Sequence, residues 1–260
     1  MTLGKGQQPV SAICQAYPDR VEVRGRDLAG DLMGRLTFTE YFHLLLTGDE
    51  ATAEQREFLD LLLIAIAEHG MMPTNVAARM TLAADPGSLQ GAVAAGILGC
   101  GPVILGTAES CASLLREIGA AVDTGAAPDD AAARAVRAIR EAGARVPGFG
   151  HPVHAPLDPR AERILELADA RGVAGSNVAH ARRVRDAVQA ALGKQLTMNV
   201  SLPIAAVLLD LGFPASAVKA VPLLARTASL LAHLVEELDS PSGLALAGAA
   251  EEAVTYVPRR

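Results

Sequence analysis

The sequence has no tryptophan, only three tyrosines and five phenylalanines, so aromatics make up 3% of its 260 residues. A core without large rings must be filled by alanine, leucine and valine, which suits close-packed helices better than sheets rich in Val, Ile and Tyr. A basic surplus is also missing: 23 Lys+Arg stand against 29 Asp+Glu, a formal charge of −6. That balance argues against a nucleic-acid binder, which needs cations to meet phosphate. Cysteine is scarce, at Cys14, Cys100 and Cys111. Three is an odd number, and no Cys/His spacing matches a zinc site, so they read as structural thiols and no metal is expected. The start, Met1 to Val10, shows no apolar run behind a basic tip. No signal peptide is visible there, and a cytoplasmic protein is the expectation.

What is present is ample material for a core. Half the residues are apolar and 20% are charged, too hydrophobic for disorder, and the length allows one large domain or two smaller ones. One stretch, Pro86 to Ala108, carries no charge and is long enough to be mistaken for a membrane span. It is rich in Gly and Ala, which permit close backbone approach, so it reads as a helix hairpin buried between other helices, with no membrane involved.

Helical periodicity dominates the rest. Helices are expected over Phe38–Leu46 behind a Thr37 cap, Gln55–Glu68, Thr74–Leu82, Ala131–Ala142, Pro159–Ala170, Asn177–Leu192, Ser201–Leu211 and Ser242–Ala253. Ala215–Glu237 reads as one long helix kinked at Pro222. Only Val21-Glu-Val-Arg24 alternates in a way that could make a strand. The fold class is therefore all-α.

Chemistry concentrates in one irregular segment, Val146-Pro-Gly-Phe-Gly-His-Pro-Val-His-Ala-Pro-Leu-Asp-Pro-Arg160. Four prolines, two glycines, two histidines, an aspartate and an arginine in a short connection hold polar groups in a restricted pose. His69, at a helix end before Gly70, is a third histidine at a break. The same composition also fits a rigid link whose histidines cap helix ends, and both readings stand at this point. Asp158, just before Pro159, reads as an N-cap. His43, His180 and His233 lie in helical stretches and read as packing or surface residues. Glu68 and Glu109 read as capping or solvated carboxylates that could also orient an imidazole.

Gly148-Phe-Gly-His-Pro-Val-His-Ala-Pro-Leu-Asp-Pro-Arg160 resembles the GxGHxV…DPR segment of the citrate synthase superfamily. The resemblance extends outward in order. Val23-Arg-Gly-Arg-Asp27 resembles its "RGxD" stretch. Glu68-His-Gly70 followed by Asn75–Arg79 resembles "EHG…TFAAR", Asn199-Val200 resembles "NVD", and Ala225–His233 resembles "SRTxGWxAH". In length and in the Gly-His-Pro-x-His variant the chain looks most like the short citryl-CoA lyases of that superfamily. The resemblance implies an all-α homodimer in which a large helical domain (1–105 and 213–260) and a smaller one (106–212) close over a cleft. It implies no tightly bound cofactor, with a coenzyme A thioester as substrate and a polycarboxylate as its partner molecule. His69, His151, Arg160 and Arg226 would bind the polycarboxylate, and Gly148, Phe149 and Gly150 the coenzyme. Arginine forks grip carboxylates bidentately, and histidine can exchange a proton at the reacting oxygen. The catalytic candidates are His151, His69 and His154.

Two departures stand beside these agreements. Ile104 occupies the position of the histidine in "GPLHGG", and Ser201 that of the aspartate in "NVD". Ile has no polar atom, and a serine hydroxyl is a very weak acid and base. Ala155 falls where a basic residue often meets coenzyme phosphates, and Glu251 near the position of an arginine that the partner subunit contributes. Three functions are therefore carried forward: a lyase that splits citryl-CoA into acetyl-CoA and oxaloacetate or cleaves a related 3-hydroxyacyl-CoA; a non-catalytic polycarboxylate-binding homologue; and a condensing enzyme for another acyl-CoA with His154 as base.

Overall fold

The computed structural model describes residues 9–258. Most of the N-terminal segment read for a leader, and the terminal Arg259 and Arg260, lie outside the described residues. The chain divides into two compact units, Met1–Asp60 and Leu61–Arg260.

The first unit holds a small antiparallel sheet, β1 (Cys14–Ala16), β2 (Val21–Val23) and β3 (Arg26–Asp27), in that order. Val23 pairs with Arg26 across a two-residue turn in which Arg24 and Gly25 both have positive φ, 52° and 76°. That is the turn whose twist matches a hairpin. The alternation at Val21–Arg24 is thus a strand. Its partners, three and two residues long, are too short to show a period in the sequence. A π-helical turn (Leu28–Leu32) leads to α1 (Phe38–Thr47). Thr37 and Glu40 cap each other's backbone at its start, and Gly48 ends it at φ 91°. Val23, Leu32 and Leu44 are buried together here.

The division falls within α2 (Ala53–Ala67). The second unit continues with α3 (Pro73–Ala84), α4 (Leu89–Leu98), α5 (Thr107–Asp123), α6 (Pro128–Glu141), α7 (Pro159–Ala170), α8 (Ser176–Leu192), α9 (Ser201–Asp210), α10 (Ala220–Asp239) and α11 (Gly243–Ala253). It has two cores. Ala78, Leu82, Ala92, Leu230 and Leu234 join α3, α4 and α10. Leu114, Ile118, Ala131, Ala135, Val136, Val184 and Val188 join α5, α6 and α8. Helix α9 packs against α5, α7 and α8. Seven consecutive residues, Leu202–Leu208, are buried in it, as expected for a helix that is apolar all round.

Two expectations need correction. Pro86–Ala108 is not a hairpin of two helices but one helix, α4, followed by a tight turn before α5. Gly99, Gly101 and Pro102 are too close together for a second helix to propagate. The small residues do serve close approach: a Cβ on Gly96 would lie 2.7 Å from Leu230 Cδ1 and 3.0 Å from the Thr74 carbonyl. The long helix kinked at Pro222 is instead a 3₁₀ turn (Ala215–Ala217) and then α10, with Pro222 in its first turn, where a missing N–H costs nothing. By length and composition Ala215–Asp239 could cross a membrane. Here Val221, Ala225, Leu230 and Leu234 are buried in the core.

Candidate active site

The chemistry gathers at one cavity of about 150 Å³ inside the second unit. Five places in the chain supply its polar lining: the turn after α2 (His69), the start of α5 (Thr107), the Gly150–Arg160 segment (His151, Arg160), the start of α9 (Asn199, Ser201) and α10 (Arg226).

Each side chain is held by a local device. Glu68 accepts hydrogen bonds from the backbone N–H groups of His69 (2.8 Å) and Gly70 (2.6 Å), which turns the chain out of α2 and presents the imidazole. Asp158 caps α7 by accepting from Arg160 N–H, and also takes Arg160 Nε (3.0 Å) and Nη2 (2.8 Å) as a fork. The same carboxylate accepts from the Val200 N–H, joining the loop to α9. Burial pushes the Asp158 carboxyl up, but the Arg160 hydrogen bonds and charge outweigh it and hold the group below its usual value. Gly148 (φ +83°) lies so close to Leu202 that a Cβ would meet it at 2.6 Å. Gly150 donates to the Thr197 carbonyl (2.8 Å) and lines the cavity, and Phe149 packs on the α5–α6–α8 core.

The histidines form a cluster. His69 and His151 are edge to face at 5.0 Å, and His154 stacks on His151 at 4.3 Å. His151 Nδ1 accepts from the backbone N–H groups of Val153 (3.1 Å) and His154 (2.8 Å). Its proton in the neutral ring therefore sits on Nε2. Nε2 lies 3.4 Å from Arg160 Nη2. Two donors side by side cannot satisfy each other, so they face a common acceptor that a ligand must bring. His69 Nε2 is 3.1 Å from His154 Nε2, a pair that shares one proton. His154 itself is not part of the cavity wall. Burial lowers the pKa of His69 and of His151, helped by the charge of Arg160 and by His154, so both rings are held in the neutral form.

Arg226 is 2% exposed, and its hydrogen bonds run through Nη1 to Asn75 Oδ1 (2.9 Å) and Ser229 (3.5 Å). Its Nε is buried without a partner. Among the described residues Arg24 Nε, Glu162 Oε1 and His180 Nδ1 are buried without a partner as well, and of the four residues only Arg226 lines this cavity. The cavity thus has three converging donors, Arg226, Arg160 and His151, and the positive end of α9 beside them.

Among the described residues, His69, His151 and His154 are the one group at metal-binding spacing, with ligand atoms within 4.8 Å. The donor set does not fit an ion. His151 offers no lone pair, since Nδ1 is occupied by two N–H groups and Nε2 carries the proton, so only two ligands remain.

Behind the cavity lies a second polar network that the sequence did not reveal. Glu68 Oε2 accepts from Ser229 (2.6 Å) and His233 Nε2 (3.0 Å), while His233 Nδ1 accepts from Arg79 Nε (3.0 Å). Arg79 pairs with Glu237 (2.9 Å) and Glu236. Burial opposes ionisation of Glu68, yet these hydrogen bonds and those from His69 and Gly70 bring its pKa down to about 2. His233 is therefore neither packing nor surface but a link in this network. The signal was present in the charged spacing Arg79…His233…Glu237, but sequence does not show which remote residues meet. Glu109 pairs with Lys219 (3.3 Å) away from the cavity wall, as a solvated carboxylate does.

Residues 11–244 match the family model described as "Citrate synthase, C-terminal domain". The chain belongs to the citrate synthase family. Citryl-CoA lyase from Hydrogenobacter thermophilus superposes with a TM-score of 0.85 at 27% identity, covering 98% of this chain and 96% of that one. ATP citrate lyase from Methanosaeta concilii, in complex with (3S)-citryl-CoA, superposes at 0.77 over 99% of this chain and 43% of that one; at 19% identity it shows the fold alone. Citrate synthase 2 of Bacillus subtilis is 27% identical over 202 residues, 77% of this chain and 52% of that protein. The chain spans about half the length of the curated relatives it matches. Within this citrate synthase fold the two departures lie on the cavity wall itself: Ile104 and Ser201 both line it.

Proposed function

We propose that this protein is a coenzyme A thioester carbon–carbon lyase that cleaves a 3-hydroxy-3-carboxyacyl-CoA, with citryl-CoA giving acetyl-CoA and oxaloacetate as the reference reaction. The observation that carries the reading is the convergence of Arg226, Arg160 and His151 on one cavity, with His69 edge to face with His151. The similarity to citryl-CoA lyase over nearly the full length of both chains supports it.

In the cleavage direction Arg226 grips the carboxylate, while His151 Nε2–H and Arg160 donate to the oxygen on the reacting carbon. His69, kept neutral, takes the hydroxyl proton. The carbon–carbon bond then opens, its electron pair passing into the thioester to form an enolate as the carbon–oxygen double bond of the 2-oxo acid forms. His69 returns the proton to the enolate carbon, giving acetyl-CoA. His154 engages His69 Nε2 and leaves Nδ1, beside the cavity-lining Met72, to meet the substrate, so it acts as a positioning residue. Gly148, Phe149 and Gly150 would border the coenzyme, and 106–212 would close over it as the smaller domain of a homodimer.

The test is release of oxaloacetate from synthetic citryl-CoA, read through malate dehydrogenase. Related 2-hydroxy acid thioesters are run in parallel with the matching dehydrogenase. Loss of one acid–base group typically costs about 10²–10⁴-fold. We expect that loss for His151→Ala; equal rates for both proteins on every thioester refute the lyase. Ile104 and Ser201 favour one rival, a homologue that binds without turnover. It is adopted if all thioesters stay intact while a 2-oxo acid still raises Tm.

A further inference from the structure

We infer that Met72 is an oxidation switch on this site: conversion of its thioether to the sulfoxide by a peroxide fixes His69 in the tautomer that cannot accept a proton from the substrate. The inference rests on the lyase reading for its effect on rate, and on geometry alone for its effect on His69.

Among the described residues that line the cavity, Met72 carries the one sulfur. The aliphatic wall, Ile66, Ile104 and Leu105, the last held at φ +65°, offers a peroxide nothing to attack. Met72 is the N-cap of α3, and its side chain makes no capping hydrogen bond there. Serine, threonine, aspartate or asparagine is favoured at that position, because each satisfies an N–H that methionine leaves open. The backbone is nonetheless firmly set. Met72 N–H donates to the Gly70 carbonyl (2.8 Å), and its own carbonyl accepts from Asn75 (2.9 Å) and Val76 (3.0 Å). The side chain is thereby delivered with Sδ 3.5 Å from His69 Nδ1.

That placement matters because the His69–His154 pair holds one proton between two Nε2 atoms 3.1 Å apart. When His69 Nε2 carries it, Nδ1 is bare and can take the hydroxyl proton. When His154 Nε2 carries it, the neutral ring of His69 is protonated at Nδ1 and cannot. A thioether is a weak acceptor, so Met72 leaves both arrangements open. A sulfoxide oxygen is a strong acceptor, and the flexible methionine side chain lets it reach Nδ1–H. One neutral hydrogen bond shifts such an equilibrium by about tenfold, so oxidation depletes the working tautomer. The step balances: CH₃–S–R and H₂O₂ give CH₃–S(=O)–R and H₂O. A sulfur lone pair attacks one peroxide oxygen, the O–O bond breaks, and the departing hydroxide takes the proton left on the transferred oxygen. Sulfur loses two electrons and the peroxide gains them. A peroxide is little larger than a water, whose share of liquid volume is about 30 Å³, and the cavity offers about 150 Å³.

Three readouts on peroxide-treated protein test this: peptide mapping by mass spectrometry, the citryl-CoA assay, and nitrogen NMR of the His69 ring at about pH 8, above the ordinary histidine value. Dithiothreitol is added after treatment to restore oxidised thiols. The expected result is sulfoxide at Met72, a rate lower by about tenfold or more, and an Nδ1 signal that moves from bare to protonated. Met72→Leu should keep its own untreated rate through the same treatment. Met72→Gln, whose amide oxygen stands in for the sulfoxide, should show a protonated Nδ1 with no oxidant added. Met71→Leu, at the neighbouring site 52% exposed, should stay as sensitive as the natural chain. Met72 left unmodified, a His69 tautomer unmoved by its oxidation, or an equal loss of rate in Met72→Leu overturns the switch and leaves the lyase reading standing. If the untreated chain splits no thioester, the lyase reading falls and the NMR signal decides the switch: a protonated Nδ1 after oxidation upholds it, an unchanged one overturns it.

Discussion

The cavity and the network behind it use the same side chains to opposite ends. Around Arg79 and Glu237 the groups are matched: Glu237 accepts from Arg79, from Ser242 and from the backbone of Ser242 and Gly243. In the cavity, a few ångströms away through Glu68, donors are left facing one another or facing nothing, as Arg226 Nε does. The saturated region fixes α3, α10 and α11 together. The open region is left for something the chain does not supply. What sets Arg226 apart from the other residues with an unpaired buried atom, Arg24, Glu162 and His180, is that it lines the cavity beside Arg160 and His151.

That contrast can be broken most forcefully on the saturated side. Arg79 is 1% exposed, and removing one partner of a buried ion pair costs about 3–5 kcal/mol. Arg79→Ala should lose about that much in urea unfolding; a loss under 1 kcal/mol would show that the network is not a structural unit. On the open side, Arg226→Lys keeps the charge and deletes the fork. About 100-fold weaker binding of a 2-oxo acid is expected by calorimetry, with unchanged affinity contradicting a grip by Arg226 on the carboxylate. Gly96→Ala should destabilise by about 1–3 kcal/mol through overpacking against Leu230 and Thr74, measured as a fall in Tm.

The pH dependence follows from the two carboxylates. Glu68 and Glu237 have folded pKa values of about 2 against an ordinary 4.5. The unfolded chain binds their protons first, so the stability they confer is complete above 4.5 and is lost as pH falls toward 2. His69 and His151, with folded values below 6.5, add a loss that starts as pH drops through 6.5. Glu68→Gln should flatten the acid limb of a Tm–pH curve; an identical limb would place the effect elsewhere. The smallest change is expected at His154, which touches His69 and not the cavity. His154→Gln should cost about tenfold in kcat and move the alkaline or acid limb of the kcat profile while KM stays. A uniform drop with no change in the profile would make it merely structural.

Much of this was legible in the sequence. The irregular Gly148–Arg160 segment announced itself by composition, and Asp158 before Pro159 gave the start of α7 because caps are local. Ile104 and Ser201 stood out against the family motif and do line the cavity. What stayed hidden is long-range or conformational. The link from Glu68 to His233 spans 165 positions, and no local rule pairs them. The engagement of the Arg160 fork by Asp158, the left-handed Leu105 and the tautomer of His151 depend on atoms that only folding brings into place. Pro86–Ala108 misled for the opposite reason: its small residues signal close packing, which is correct, but not how many helices do the packing.

The central claim is that Arg226, Arg160 and His151 complete one another around an acid. A crystal structure with oxaloacetate bound tests it most directly. The account predicts the carboxylate on the Arg226 guanidinium and the keto oxygen about 2.7–3.2 Å from His151 Nε2. An acid bound elsewhere, touching neither Arg226 nor His151, would contradict it.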